Sequence, residues 1–573
     1  MSHNLDTAIV QKANEWLQDP IDKDSQAKVQ QMLSNEPEEL TESFYKDLDF
    51  GTGGMRGIMG VGTNRVNKYT LGLATQGLSN YLHQQLGDEA IKVAIAFDSR
   101  NNSQALASSV AEVFSANGIK VFLFENLRPT PELSFTIRHL GCQAGIVLTA
   151  SHNPKEYNGY KVYWQDGGQL VPPHDKAIIE EVRKVKLNEV KFNGNDDFIE
   201  EIGRDVDRAY LQQVARISLG NEGKDDIKVV FTPLHGTSVV LMEDAFNTAG
   251  FSSISLVKEQ SNPDGNFPTV DSPNPEEAAA LKMAVDQAER DNADLVIGCD
   301  PDTDRVGIAV RDHKGQMRLL NGNQTGAVVF EYMLSKMAEK GVDLSKSFTA
   351  TTIVTSNLME QISLNYGVES MRCLTGFKWI AELIHRYEGT KKFIVGAEES
   401  YGYMIGDFVR DKDAISGALM IAEAAAYAKS QGSSFFEYLA DIQKKYGFYQ
   451  EHLISIVKKG RSGAEEIAAI MENLRSNPPQ TLASKKVVEL RDFKLGEITD
   501  LHTGEKRPTN LPSSNVIQLV NENGDITTAR PSGTEPKIKF YFSVNREWKS
   551  GDYDEMEKSL REIIQQMIED LAI

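Results

Sequence analysis

Asp300, Asp302 and Asp304 alternate through the stretch "DPDTDR", directly after the apolar run "ADLVIGC". Carboxylates at that spacing on a loop converge within a few ångströms, and their repulsion raises their pKa values unless a cation sits between them. Oxygen-only donors select a hard divalent ion, Mg²⁺ before others. The calcium EF-hand also opens D-x-D-x-D, but it needs glycine at position six and a carboxylate at twelve, where this chain has Arg305 and Arg311. A solvated acidic loop is the alternative. Arg305 weighs against it, since a cation beside three carboxylates is well placed for a bound phosphate.

The second group lies in "VLTASHNPKEYNGYK", where an apolar run gives way to Ser151, His152 and Asn153 and then to Lys155 and Lys161. Ser151 can be a nucleophile, a phosphate ligand or a turn residue. A triad hydrolase prefers G-x-S-x-G at a strand-to-helix elbow, and the residues here are T-A-S-H-N. Adjacent Ser151 and His152 are expected to point different ways in an extended loop, so His152 is assigned to orienting the loop rather than to serving as base. A serine that accepts and returns a phosphoryl group fits better, because it needs a metal and nearby lysines rather than a histidine. Lys161 is then a candidate acid/base or phosphate contact.

Four further loops carry groups for an anionic, hydroxylated ligand. "ARPSGTEPK" offers Arg530, Ser532, Gly533, Thr534 and Lys537, an arginine fork with a glycine turn that can form an anion-binding concavity. "DFGTGGMRGIMG" sets glycines around Arg56 and matches neither Walker A nor G-x-G-x-x-G. "GAEES" supplies Glu398 and Ser400 for sugar hydroxyls, with Arg410 and Lys412 shortly after, and "CLTGFKWI" places Thr375, Gly376 and Lys378 between a strand and a helix.

These loops need elements to hold them, and the same order of elements is legible three times. "IKVAIAFDSR", "KVFLFE" and "AGIVLTA" read as strands separated by helical stretches; so do "IKVVFTPLHGT", "SSISLV" and "ADLVIGCD"; a third stretch opens on "FTATTIVTS" and closes on "KKFIVGAEES". Strands alternating with helices imply parallel sheet in three-layer α/β/α units, with function in loops at the carboxyl ends of strands. Each closing strand ends in a polar cluster; one such cluster is ordinary turn chemistry, but three at equivalent places are not. The tail reads as a smaller α+β domain. The expected class is α/β: three successive α/β/α units with mainly parallel mixed sheets plus that C-terminal α+β domain, divided at 1–215, 216–322, 323–450 and 451–573. The first ~40 residues read as polar helices packed outside the first unit.

The chain has 573 residues, too long for one core, and 61 basic against 82 acidic residues give a net charge of −21. That balance repels nucleic acid and anionic membranes, so an anionic substrate needs a local basic pocket. Cys142, Cys299 and Cys373 are an odd number without C-x-x-C spacing, which indicates neither disulfides nor zinc and fits a reducing compartment. The N-terminus has no signal-peptide pattern and nowhere do ~18 apolar residues run together, so a cytoplasmic location is expected.

Taken in order, these motifs resemble the α-D-phosphohexomutase superfamily: T-A-S-H-N-P at the serine, "DPDTDR" at the metal loop, "GAEES" for its sugar-binding G-E-x-S and "RPSGTEP" for its phosphate loop. The resemblance implies four domains around a central cleft and a phosphorylated Ser151. It implies one Mg²⁺ held by Asp300, Asp302, Asp304 and that phosphoserine, Glu398 and Ser400 on the sugar, and Arg530, Ser532, Gly533, Thr534 and Lys537 on the substrate's phosphate. The implied reaction interconverts glucose 1-phosphate and glucose 6-phosphate, with glucose 1,6-bisphosphate as intermediate and activator. Pentose or mannose phosphates are the alternatives, as are a Mg²⁺-dependent phosphatase and a non-catalytic sugar-phosphate binder. Sugar phosphates are the expected partners of a monomer or weak homodimer. Some bacterial members carry a histidine two residues after the serine of G-E-x-S; this chain has Gly402 there, which makes Lys412 in "VRDKDA" the substitute acid/base candidate.

Overall fold

A computed structural model describes residues 6–51, 53–87, 89–458, 460–532 and 537–571. Gly533 and Thr534, two of the expected phosphate contacts, lie outside the described residues.

The first sheet comprises β1 (Gly54–Ile58), β2 (Lys92–Phe97), β3 (Lys120–Phe124), β4 (Ala144–Leu148), β5 (Tyr157–Trp164) and β6 (Ile199–Ile202), in the order β1-β5-β4-β2-β3-β6. The second comprises β7 (Val229–Thr232), β8 (Ile254–Leu256), β9 (Leu295–Cys299), β10 (Val306–Arg311) and β11 (Met317–Leu320), ordered β11-β10-β9-β7-β8. The third, β13-β12-β14-β15, is built from β12 (Ser347–Thr352), β13 (Glu369–Cys373), β14 (Lys392–Glu398) and β15 (Gly402–Ile405). The opening strands β2, β7 and β12 and the closing strands β4, β9 and β14 pair in parallel, and all six are almost wholly buried, as sheets covered on both faces require.

One topology is thus repeated three times. In each unit the closing strand turns straight back into an antiparallel neighbour, with Leu148 opposite Tyr160, Cys299 opposite Val306 and Glu398 opposite Gly402. The polar clusters sit on these three turns. Each turn bends through one non-glycine residue with positive φ: Ser151 at 53°, Thr303 at 59° and Tyr401 at 62°. That conformation is uncommon for such residues and concentrates at functional sites. The strand expected to run to Ser151 stops at Leu148, which leaves room for the turn.

The tail is an antiparallel sheet of β16 (Phe448–Val457), β17 (Thr481–Leu482), β18 (Lys485–Asp492), β19 (Glu497–Asp500), β20 (Lys506–Pro508), β21 (Ile517–Asn521), β22 (Ile526–Pro531) and β23 (Lys537–Arg546). Helices Gly460–Ser476 and Tyr553–Leu571 pack on it. At the other end of the chain, helices Thr7–Glu15, Lys23–Asn35 and Pro37–Phe44 form a separate small core in which Trp16 meets Phe44 and Tyr69 edge-on.

Polar contacts tie the units together. Thr130 of the first unit donates through both its N–H and its hydroxyl to Asp302, at 2.9 and 3.0 Å. Gln518 of the tail donates to the Ile353 carbonyl at 2.7 Å, and Arg318 of the second unit reaches Glu557 of the last helix at 2.6 Å.

Candidate active site

A cleft of about 530 Å³ lies where the four sheets meet. The first unit lends it His152 and Gln169, the second Glu276 and Arg305, the third Thr375, Gly376, Lys378, Glu398, Ser400 and Lys412, and the fourth Arg530, Lys537 and Lys539. Of the predicted residues, Lys155 stays exposed on its turn, outside the cleft lining. Arg56 is also exposed and donates to Asn153 Oδ1 at 3.2 Å.

Ser151 is buried, and its turn is held from below. Its N–H donates to Thr149 Oγ1 at 2.8 Å. Arg100, just beyond β2, gives its guanidinium to the carbonyls of Ser151 at 2.6 Å, Pro154 at 2.8 Å and Tyr157 at 3.0 Å, and also to that of Asn153. Asp98, fully buried, accepts from the Arg100 N–H at 2.9 Å and the Ser103 hydroxyl at 2.8 Å. Neither Asp98 nor Arg100 was singled out from the sequence. The signal was present in "AFDSR", polar residues closing the opening strand as in the three chosen clusters, but a buried structural pair looks the same in sequence.

The Ser151 hydroxyl donates to Asp300 Oδ2 at 2.8 Å, and its oxygen lies 3.1 Å from His152 Nδ1. This overturns the expectation that the two side chains diverge: the loop is left-handed at Ser151 rather than extended, which swings the serine toward its neighbour's ring. The hydroxyl has one proton, so with Asp300 as acceptor the imidazole Nδ1–H donates to Oγ. Burial, then Arg305 and Arg56, hold His152 well below its ordinary pKa, so the ring is neutral.

The three aspartates converge: one carboxylate oxygen from each lies within 4.8 Å of the others. Asp300 Oδ1 is satisfied by the N–H groups of Asp304 and Arg305 at 3.0 and 2.9 Å. Asp302 Oδ1 and Asp304 Oδ1 are buried with no hydrogen-bond partner. Two orphaned carboxylate oxygens beside a third acid and a hydroxyl form an all-oxygen donor set that suits a hard divalent cation. Burial and then Asp302 and Asp304 push Asp300 well above the usual carboxylate range. Burial acts the same way on Asp304, but Lys161, Lys412 and Arg305 outweigh it and hold that group far down.

Two ammoniums reach the triad from different units. Lys161 Nζ, from β5, lies 2.6 Å from Asp302 Oδ2 and 3.1 Å from Asp304 Oδ2. Lys412 Nζ approaches Asp304 Oδ2 at 3.3 Å and Asp411 Oδ1 at 3.1 Å. Burial opposes charge on both, and the surrounding carboxylates more than restore it, so both pKa values rise. The segment carrying Lys412 ends where Asp413 caps helix Ala414–Ser430 by accepting from the N–H groups of Ile415 and Ser416. Gly402 explains why the lysine fits: a Cβ there would sit 2.2 Å from Lys412 Cδ, so the bare backbone is the floor on which the lysine stem rests.

Across the cleft, Glu398 Oε1 accepts from the Gly376 N–H at 2.8 Å, which joins the "CLTG" loop to the "GAEES" turn. Burial pushes Glu398 up, against the pull of Lys412. Arg305 pairs with Glu276 and donates to the Ser400 carbonyl at 3.2 Å. Lys539 joins Arg530 and Lys537 on the wall; burial and then Lys537 lower its pKa. Glu276 and Lys539 were missed, one in a loop without a motif and the other two residues past the chosen lysine on the same face of β23. Arg410 is not in the cleft: it is buried beneath the turn, donating to the carbonyls of Asp407 and Val409.

Residues 47–189, 208–315 and 321–446 match, in that order, the families described as alpha/beta/alpha domains I, II and III of phosphoglucomutase/phosphomannomutase. The phosphoglucomutase of Staphylococcus aureus (strain MRSA252) is 37% identical over 530 residues, 92% of this chain and 94% of that one. Among solved structures, the open form of parafusin, a phosphoglucomutase from Paramecium, superposes with a TM-score of 0.68 at 18% identity, covering 92% of this chain and 96% of that one. A phosphoglucomutase/phosphomannomutase family protein from Burkholderia thailandensis gives 0.65 at 16%, covering 91% and 97%. At those identities the two structures bear on the fold alone.

Proposed function

The chain belongs to the phosphoglucomutase/phosphomannomutase family, and we propose that it acts as a phosphoglucomutase, interconverting α-D-glucose 1-phosphate and glucose 6-phosphate through a phosphoserine at Ser151. The observation that carries this reading is the Ser151 hydroxyl, 2.8 Å from Asp300 of the triad, beside a cleft that its neighbour His152 and Arg305 line together with Arg530, Lys537 and Lys539. A reacting oxygen next to a cavity that also gathers three cations suits a substrate with a free hydroxyl at one end and a phosphate at the other.

In this reading Arg530, Ser532 and Lys537, with Lys539 added and Gly533 and Thr534 expected from the motif, bind the phosphate already on the sugar. Glu398 and Ser400 take the ring hydroxyls, held by the Thr375–Gly376 loop, with Lys378 and Arg305 completing the rim. The phosphoryl group leaves Ser151 Oγ as its P–O bond breaks, and joins the free sugar hydroxyl, which releases its proton. The glucose 1,6-bisphosphate turns end for end, and its other phosphoryl group returns to Ser151 Oγ. His152 keeps the serine oxygen aimed at the cleft. Lys161 stays charged and offsets the charge on the transferring group, while Lys412, which lines the cleft, gives a proton to the oxygen that loses the phosphoryl group and is recharged by the proton that the attacking hydroxyl releases. Asp300, Asp302, Asp304 and Ser151 would hold one Mg²⁺, which when bound supplies Lewis-acid neutralisation of phosphoryl oxygens.

The relatives' name favours glucose over mannose or pentose. The buried, free cysteines support a reducing, cytoplasmic setting, and among the described residues no helix is long and apolar enough to cross a membrane; a monomer or weak homodimer remains the proposed assembly. Divisions at 215/216, 322/323 and 450/451 remain the proposed domain limits. The test is a coupled assay: glucose 1-phosphate, Mg²⁺ and a trace of glucose 1,6-bisphosphate, with glucose 6-phosphate read by its dehydrogenase and the 1-phosphates of ribose and mannose run in parallel. Fast, primer-dependent formation of glucose 6-phosphate is expected. Release of inorganic phosphate instead, or faster turnover of ribose 1-phosphate, would refute the reading.

A further inference from the structure

Lys412 belongs to the third unit, but the first unit decides where it stands. Arg138 of helix Thr130–Leu140 donates to the carbonyls of Asp407 and Phe408 at 2.7 and 3.2 Å, and Ser134 of the same helix accepts from the Arg410 N–H at 2.8 Å. The next residue, Asp411, is almost fully buried and uses both oxygens. Its Oδ2 accepts from the Tyr163 hydroxyl at 2.7 Å and from Gln169 Nε2 at 2.9 Å. Its Oδ1 accepts from the Lys412 N–H at 2.8 Å and from Lys412 Nζ at 3.1 Å. Tyr210 of the first unit closes the series by donating to Asp413 Oδ1 at 2.8 Å.

Tyr163 itself is fully buried and does not line the cleft, whereas Gln169 does. The tyrosine lies on β5, two residues beyond Lys161, so one strand presents one lysine to the triad and anchors the other. A short carboxylate held from behind by two donors has little freedom of its own, and a lysine stem resting on Gly402 can then place its ammonium in only one position. The geometry points to Tyr163, acting through Asp411, as a positioning residue for Lys412: the rate of phosphoryl transfer depends on a hydroxyl that never meets the sugar. This rests on the reading of Lys412 as a cleft residue of a phosphoglucomutase.

The experiment compares wild type, Tyr163→Phe, Lys412→Ala and the double variant in the full chain, in the coupled glucose 1-phosphate assay. Tyr163→Phe should lower kcat about tenfold, as expected for a catalytic group displaced by a fraction of an ångström, with KM and melting temperature nearly unchanged. In the Lys412→Ala background it should cause no further loss. An additive loss there, or a fall in kcat that follows a fall in melting temperature, would make Tyr163 merely structural and overturn the proposal. Lys412→Ala with wild-type kcat would overturn it too, since no rate would then pass through the lysine. A second readout needs no turnover: the rate at which an acylating reagent modifies Lys412, followed by mass spectrometry, should rise in Tyr163→Phe. An unchanged rate refutes the clamp, whereas an inactive wild type with an increased rate refutes only the proposed function.

Discussion

Gly402→Ala tests the floor of the lysine slot with one added methyl group. The new Cβ would lie 2.2 Å from Lys412 Cδ and 2.8 Å from Cγ, against ordinary contact at 3.4 Å or more, so the stem must retreat by about 1.2 Å. It cannot do so freely, because its ammonium is fixed between Asp304 at 3.3 Å and Asp411 at 3.1 Å. A shift of about 1 Å at a group facing the reacting atoms can lower the rate by up to ~10²-fold. The expected fall in kcat is therefore about 10- to 100-fold, or roughly 1.4–2.7 kcal/mol in the barrier. Overpacking of this kind destabilises by about 1–3 kcal/mol. The assay pairs steady-state kinetics with thermal melts of Gly402→Ala and of Gly402→Ala combined with Lys412→Ala. Removing the stem empties the space the methyl group needs, so on a Lys412→Ala background the substitution should cost no further stability and no further rate. A Gly402→Ala enzyme with near wild-type kcat, or a double variant less stable than Lys412→Ala alone, would refute the slot.

Ser151→Ala should remove nearly all turnover while shifting the melting temperature only slightly, because the loop is held through backbone carbonyls by Arg100; surviving activity in the coupled assay would contradict the phosphoserine. Arg100→Met should destabilise by about 3–5 kcal/mol, since it leaves the buried Asp98 carboxyl without its counter-ion, and chemical denaturation would measure the loss. Mg²⁺ at ~100 times its dissociation constant should stabilise the protein by about 2.7 kcal/mol, reversibly with chelator, and Asp302→Asn should abolish the shift in calorimetry. Burial pushes Glu451 up from 4.5 to about 7, so the folded state takes up a proton that the unfolded chain does not, and stability falls as pH rises through that window. Glu451→Gln should accordingly raise the melting temperature above about pH 8 and leave it unchanged near pH 4.

What was legible in the sequence is what local pattern encodes. Buried parallel strands show as short apolar runs, and turns announce themselves by glycine, proline and short polar residues, so the threefold α/β order and its polar clusters could be read directly. The oxygen-only character of the aspartate loop and the anion-binding chemistry of "RPSGTEP" are likewise properties of residue type and spacing. Less legible was everything that depended on one backbone angle. Ser151 and His152 read as divergent because nothing local signals φ at 53° for a serine, a conformation that the return strand and Arg100 impose from outside.

By itself, then, the sequence determined the class of fold, the order of its units and the six loops able to do chemistry. The tertiary structure alone decided which groups meet. Lys161 reaches Asp304 across 143 positions, and Tyr163 reaches Asp411 across 248. Lys155, nearer in sequence to the serine than Lys161, stays exposed on its turn. These pairings are set where separately folded units pack and where buried charges must find partners, and neither condition leaves a periodic trace along the chain.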